Sequence, residues 1–397
     1  MATNLPGRLE RDALIVASES GGDASGILEH ILASATPESV VRLPAGNFRI
    51  SRTLTLPAVD LTLCGQGVTS TALIFDQDPA APPGSFIKWV STADEPGPRP
   101  GLQISDISLL TQSVQDGAFA ALQIEYANEQ YHTPSVKISR VRISPDFSEP
   151  NVGRFGNGII MINCRQAILS DVWLFGRTEG QAAESRSRTG LLLSGECTDI
   201  RVENSVFYQW QVGLIVQGAS EGVQLRDNSF IFLEIGVAVN APGEPQFQAI
   251  GNNLNTSVAG LILLSPLGAM IANNTFYANN VEKLPTGGYV GIDIRQGQNK
   301  EGDVESRNNH IVNNTFFLDK NPPTPQYGIS LNSKIKSTAI MGNTMEKYDG
   351  RFITLGTETR QNVVIGNIGE RAEGGPLYTA EVDDKGQHNV KLGNIAF

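Results

Sequence analysis

Residue types suited to a polyhydroxylated ligand gather near the middle of this 397-residue sequence. Tyr208, Gln209, Trp210 and Gln211 stand together, Phe232 and Glu234 follow, and Thr256 and Ser257 come next. Aromatic rings stack on the apolar faces of pyranoses, while amides and carboxylates take the hydroxyls. The flanking segments add Arg177, Glu179, Glu184, Arg186, Arg188, Glu282, Lys283 and Tyr289. Hydrolysis of a glycosidic bond needs two carboxyl groups, roughly 5 to 5.5 Å apart for retention and 6.5 to 9.5 Å for inversion. Glu234 is the acid of the central set, and Glu179, Glu184, Glu282 and Asp293 are its candidate catalytic partners. Elimination instead needs a base for the proton α to a carboxylate and a cation for the enolate. Arg186, Arg188, Lys283 and Tyr208 offer those groups. The expected substrate-binding set is therefore Tyr208, Gln209, Trp210, Gln211, Arg186, Arg188 and Lys283. His30, His132, His310 and His388 fall elsewhere, as structural or solvated side chains.

These residues are held by a repeat. Asparagine occurs six times in the first 200 residues and twenty-two times in the last 197. From Ile104 onward a string recurs in which an apolar residue is followed by a turn-former and then a large apolar residue. It reads ISDISL (Ile104), ISRVRI (Ile138), LSDVWL (Leu169), VENSVF (Val202), LRDNSF (Leu225), IGNNLN (Ile250), IANNTF (Ile271), IVNNTF (Ile311) and IMGNTM (Ile340). IGNNLN alone breaks the last apolar position. The starts lie 34, 31, 33, 23, 25, 21, 40 and 29 residues apart, a unit near 23 stretched by insertions. A second string follows, beginning with Gly and alternating apolar side chains: GIIMI (Gly158), GLLLS (Gly190), GLIVQ (Gly213), GVAVN (Gly236), GLILL (Gly260), GIDIR (Gly291) and GISLN (Gly328). Alternation with period two, β-branched residues and Gly interruptions predict strands rather than helix. Two or three short strands per turn predict one all-β solenoid, a parallel β-helix with coils about 4.8 Å apart. Asp106, Asp171, Asn204, Asp227, Asn252, Asn273 and Asn313 fall at the expected bend, where Asx side chains tolerate left-handed backbone.

Residues 1–100 read as an N-terminal segment continuous with the coils of 101–397, in one domain. GGDASGILEHILASATPE predicts a short capping helix with Asp23 or Ser25 as N-cap, ended before Pro37. VVRLPAGNFRI and then LTLCGQG lead into the first coils. This order, capping helix, VVRLPAGNFRI, LTLCGQG and Asn-rich coils, resembles the pectate-lyase-like right-handed parallel β-helix superfamily over nearly the whole chain. The resemblance implies action on glycans, closest in character to phage tailspike-type polysaccharide depolymerases. Intramolecular fructan transferases and non-catalytic trimeric glycan-binding spikes are the alternatives it leaves open. It transfers no catalytic residue: the clustered Asp residues that hold calcium in pectate lyases have no counterpart, nor has the paired-Asp signature of polygalacturonases. No metal or other cofactor is expected.

Connection lengths predict a cleft. From the last apolar residue of one string to the next Gly the counts are 15, 16, 6, 6, 5, 15 and 12. Three short turns over 207–260 would form a floor, with walls from 144–157, 175–189, 277–290 and 317–327. A second surface follows from alternation. Ile160, Leu192, Ile215, Ala238, Ile262, Asp293 and Ser330 would form one outward column, apolar over its first five members. Such a patch suggests an interface, and the resemblance to β-helix tailspikes and fructotransferases implies that it is a homotrimer's.

Net charge is −11, so nucleic acid and anionic lipid are poor partners, and a polysaccharide or oligosaccharide is the expected one. Three cysteines give neither a disulfide framework nor a metal-binding pair. No long apolar run suggests a membrane span, and the opening MATNLPGRLERDALIV carries Arg8, Glu10, Arg11 and Asp12 where a signal peptide needs an apolar core. The expected location is extracellular or on a virion, reached without a visible leader.

Overall fold

The computed structural model describes residues 8–76, 84–91, 100–113, 119–127, 136–147, 153–177, 186–243, 246–278, 288–299, 301–318, 326–348, 351–371 and 382–396. Contacts divide the chain into two compact units, Met1–Gln211 and Val212–Phe397. Each is built of parallel β-helix coils. Among the described residues no helix is long and apolar enough to cross a membrane.

The first unit opens with two helices, α1 (Arg8–Ser20) and α2 (Ser25–Ala33). Helix α2 buries Leu28, Ile31 and Leu32, a stripe at helical spacing, and packs on the strand Leu54–Leu56. Its N-cap position is Ala24, which has no capping side chain. Asp23 acts from one residue earlier, its Oδ1 accepting the Ser25 N–H at 3.0 Å and hydroxyl at 2.5 Å. Helix α1, which packs on Gly46–Ile50, lies outside the sequence expectation. Behind the helices the coils stack. Ser39–Arg42, Leu61–Cys64, Leu102–Thr111, Val136–Pro145 and Ile168–Phe175 pair in sequence, every pair parallel. Another column runs Ser85–Ser91, Ala120–Tyr126, Asn157–Ile162 and Thr189–Ser194.

The second unit repeats three strand columns. One runs Gln224–Arg226, Gln248–Ile250, Met270–Ala272, His310–Val312, Ala339–Met341 and Val363–Ile365. Another stacks Phe230, Leu254, Phe276, Phe316 and Met345 in register inside the core. The third contains the Gly-initiated strands. Glycine is required there by close approach. A Cβ on Gly260 would stand 2.4 Å from a Phe276 ring carbon and 2.5 Å from the Gly291 oxygen, and one on Gly291 would meet Phe316 equally closely.

The bend residues behave as Asx and Gly chemistry predicts, with one correction. Asp106, Arg140, Asp171 and Asn204 in the first unit take φ of 50° to 59°, as do Asp227, Asn273 and Asn313 in the second (53° to 57°). Asn252 does not belong to that column. Ala249 pairs with Ile271, so Gly251, at φ 72°, is the bend residue and the true string is AIGNNL from Ala249. That removes the break at the last apolar position, now Leu254, and makes the third short connection 6 residues, like its neighbours.

Asn252 sits instead in a buried ladder of Asn228, Asn252, Asn274, Asn314, Asn343 and Asn367, each no more than 2% exposed. Each Oδ1 from Asn252 onward accepts both the backbone N–H and the Nδ2–H of the preceding Asn at 2.9 to 3.0 Å. Each Nδ2 from Asn252 onward also donates to a carbonyl of the strand before, as Asn314 does to Ile271 O at 2.9 Å. An amide with one acceptor and two donors fits this site, whereas a carboxylate has no hydrogen to give.

Candidate functional site

The expected floor is divided between the units, and each part is described within its own. In the first unit, the left-handed backbone of Gln209 (φ 56°) interrupts strand alternation, so Tyr208 faces out and Trp210 turns in. Trp210 is fully buried beneath Gly176 and donates its indole N–H to Leu174 O at 2.9 Å. It presents no face to a sugar, which corrects its expected place among the binding residues. Tyr208, Gln209 and Gln211 remain half-buried at the surface. The Gln211 N–H donates to Ser187 O at 3.0 Å, which brings half-buried Arg186 and exposed Arg188 beside them. Glu179 and Glu184 lie outside the described residues.

In the second unit, Glu234 stands half-buried where Ser229–Asn240 is irregular, inside the second of two register shifts, Ile231/Leu233 and Leu233/Ile235. The preceding Phe232 has φ 56°, an uncommon backbone for a bulky residue, and is 43% exposed. Thr256 is fully buried. Glu282 and Lys283 lie outside the described residues.

The concave site of this unit lies over the Gly-initiated strands. Register confirms the outward column as Ile215, Ala238, Ile262, Asp293 and Ser330, and extends it to Thr354 and Asp383. A groove of about 730 Å³ covers its middle. Ile262 and Val290 give it apolar wall, and Asp293, Arg295, Tyr327, Asn332 and Arg351 are among its polar lining. Among the described lining residues Asp293 is the one carboxylate, and Glu234 is not part of the lining.

Asp293 points outward, as alternation predicts, yet is only 4% exposed. The Arg295 Nε–H donates to its Oδ2 at 2.6 Å, and the Asn332 amide donates to its Oδ1 at 2.6 Å. Burial is the largest influence and raises the carboxyl above its ordinary 3.8, while Arg295 and Asn332 pull it partway back. Arg351 is paired with Asp383 at the groove's edge. The Tyr289 phenol, on the strand that carries Asp293, is pushed upward by complete burial. Asn332, Arg351 and Thr354 are absent from the sequence expectation. The first follows from aligning Gly291 with Gly328, but the next coil, RFITL, has Phe352 at the Gly position and so gives no landmark.

A carboxyl raised by folding holds its proton more tightly in the native state. Its contribution to stability is therefore complete below the unfolded value of 3.8 and is lost as pH rises through the folded one. Asp293→Asn cannot ionise. Its urea-unfolding free energy is expected to gain on wild type as pH rises through that window, and a difference constant with pH would count against the burial argument.

Among the described residues no group of three or more His, Cys, Asp and Glu side chains is placed to hold a metal ion. Cys64, Cys164 and Cys197 are buried thiols.

No protein-family model and no curated protein matches the sequence. Solved structures do match. The A-module of mannuronan C-5 epimerase AlgE6 from Azotobacter vinelandii aligns at TM-score 0.59 and 14% identity, over 98% of this chain and 95% of that one. DFA-IIIase from Arthrobacter chlorophenolicus A6, without its lid and in complex with GF2, aligns at TM-score 0.61 and 13% identity, over 89% and 93%. Pre-mature gene product 12 of bacteriophage phi29 aligns at TM-score 0.58 and 12% identity, over 95% of this chain and 55% of that one. Similarity at this level, together with the parallel register of its own coils, makes the chain a right-handed parallel β-helix protein.

Proposed function

We propose that this protein is a glycan-active β-helix, a polysaccharide depolymerase that takes an oligosaccharide segment along the groove of the second unit. The observation that carries the reading is Asp293, a buried carboxyl fixed by Arg295 and Asn332 inside the groove, whose burial raises it above the ordinary carboxylate value. A carboxylic acid so held suits proton donation to a leaving glycosidic oxygen, a role common to hydrolysis and elimination. Hydrolysis needs a second carboxyl. Glu282 is the candidate, in the connection that leads into the strand Tyr289–Arg295. Structural neighbours that include a mannuronan epimerase and a DFA-IIIase bound to GF2 support carbohydrate as the ligand class. A glycan substrate of this kind places the protein outside the cell or on a virion.

The test is incubation with a panel of bacterial capsular and extracellular polysaccharides. New reducing ends without ultraviolet absorbance identify hydrolysis, and reducing ends with the absorbance of an unsaturated sugar identify elimination. Transfer within a fructan gives a cyclic product and no reducing end. Intact polymers across the panel would remove the enzymatic reading.

The column Ile215, Ala238 and Ile262 favours a second reading, a trimeric spike that binds glycan. These side chains face outward and are half-buried without a charged neighbour in the column until Asp293. Sedimentation is expected to show a trimer that Ile262→Asp dissociates. A monomer at micromolar concentration removes the spike.

A further inference from the structure

The first unit carries a surface that the groove chemistry does not use. On the strands Val136–Pro145, Ile168–Phe175 and Val206–Tyr208, parallel register sets Arg142 beside Trp173, and Phe175 beside Tyr208. Val141, Ile143, Val172, Leu174 and Phe207 fill the core, so Arg142, Trp173, Phe175 and Tyr208 occupy the opposite face, and each is half-buried. The Phe175 and Tyr208 rings are 5.7 Å apart and tilted by 57°. The Arg142 guanidinium carbon lies 5.6 Å from the centroid of the Phe175 ring.

Arg142 has no anionic partner among the described residues. Its Nε–H is buried without an acceptor, and the Phe175 ring is what its guanidinium meets. Nearby arginines differ: Arg140 grips Asp106 with two hydrogen bonds, and Arg165 pairs with Glu196. A cation over a ring gains about 0.5 to 2 kcal/mol, which does not replace the hydrogen bonds that burial removes from a guanidinium. A half-buried guanidinium without an acceptor, set among outward aromatic rings, matches a ligand with a planar anion and flat apolar faces.

We propose that this face binds an acidic glycan, with a uronate carboxylate paired to Arg142 and sugar rings stacked on Trp173 and Tyr208. The proposal rests on the glycan-active reading for the class of polymer. Arginine fits a carboxylate with two parallel hydrogen bonds, which lysine cannot reproduce. Single-stranded nucleic acid would also suit an arginine among aromatics, but the net charge of −11 opposes it.

Affinity electrophoresis of the full chain tests this, in gels containing polygalacturonate, neutral dextran or a polynucleotide. Wild type is expected to be retarded by polygalacturonate alone, less so as salt rises. Arg142→Gln and Tyr208→Ala are each expected to weaken that retardation roughly 10- to 100-fold, the equivalent of one charge-assisted hydrogen bond or ring contact. Arg142→Lys should recover only part of it. Unchanged retardation of both Arg142→Gln and Tyr208→Ala overturns the proposal, as does equal retardation in dextran or a preference for polynucleotide. Should no polymer be cleaved while this pattern holds, the catalytic reading falls and the binding face stands. Cleavage of a glycan together with unchanged retardation of the two variants has the opposite meaning.

Discussion

Asp293→Asn is expected to cut glycan turnover by roughly 100- to 10,000-fold, the usual share of a positioned acid, without loss of the fold. The amide keeps the size of the carboxyl, and its oxygen can still accept the hydrogen bond from Asn332 or Arg295. Arg295 loses its charge partner, but its own side chain is 51% exposed, so water can replace much of the interaction. What the variant lacks is a proton to give. The measurement is the initial rate of product formation on the polymer identified by the panel, beside a thermal melt. A variant that melts like wild type and turns over like wild type would move the chemistry away from this groove. Loss of rate with an unchanged KM would agree with a proton transfer rather than with weakened binding.

The largest stability effect is expected inside the second unit. Asn314→Leu is close in volume but removes every polar atom from a ladder rung that is fully buried. It would strand the Asn274 N–H and Nδ2–H, which donate to Asn314 Oδ1 at 3.0 and 2.9 Å. It would also take the amide donor away from Ile271 O and leave Asn343 Oδ1 with the backbone N–H of residue 314 alone. A buried orphan costs about 1 to 3 kcal/mol, and partial relaxation leaves an expected loss of about 3 to 5 kcal/mol. The urea midpoint reports this, and a loss below about 1 kcal/mol would mean that water or a shifted strand satisfies the rung.

The coils were legible because each returns to the same core with the same turn chemistry, so Phe230, Phe276 and Phe316 recur in one frame. Frame errors arose where two asparagines stand side by side. In GNN and ANN, one Asx or Gly takes the left-handed bend and the next residue enters the core, and the sequence does not label which is which. Only the pairing of Ala249 with Ile271 settles it. Trp210 was misplaced for a related reason. A single left-handed residue, Gln209, reverses the phase of alternation, so a residue that counts as outward turns in. Among the site residues, Asp293 was legible from the GIDIR strand, but its enclosure was not. Asn332 and Arg351 come from later coils, 39 and 58 residues away in the chain, and only the stacked register brings them to the same groove.

The asparagine ladder also limits how such a chain can change during evolution. Every rung is both the socket for one coil and the plug for the next, so the second unit can gain or lose whole coils but cannot absorb a fraction of one. A single-residue insertion inside a string would push a bend residue into the socket and break two rungs at once. Added sequence is therefore confined to the corners, where the spacing between neighbouring rungs already ranges from 22 to 40 residues without disturbing a single amide pair. Surface novelty at those corners can accumulate while the interior stays in step.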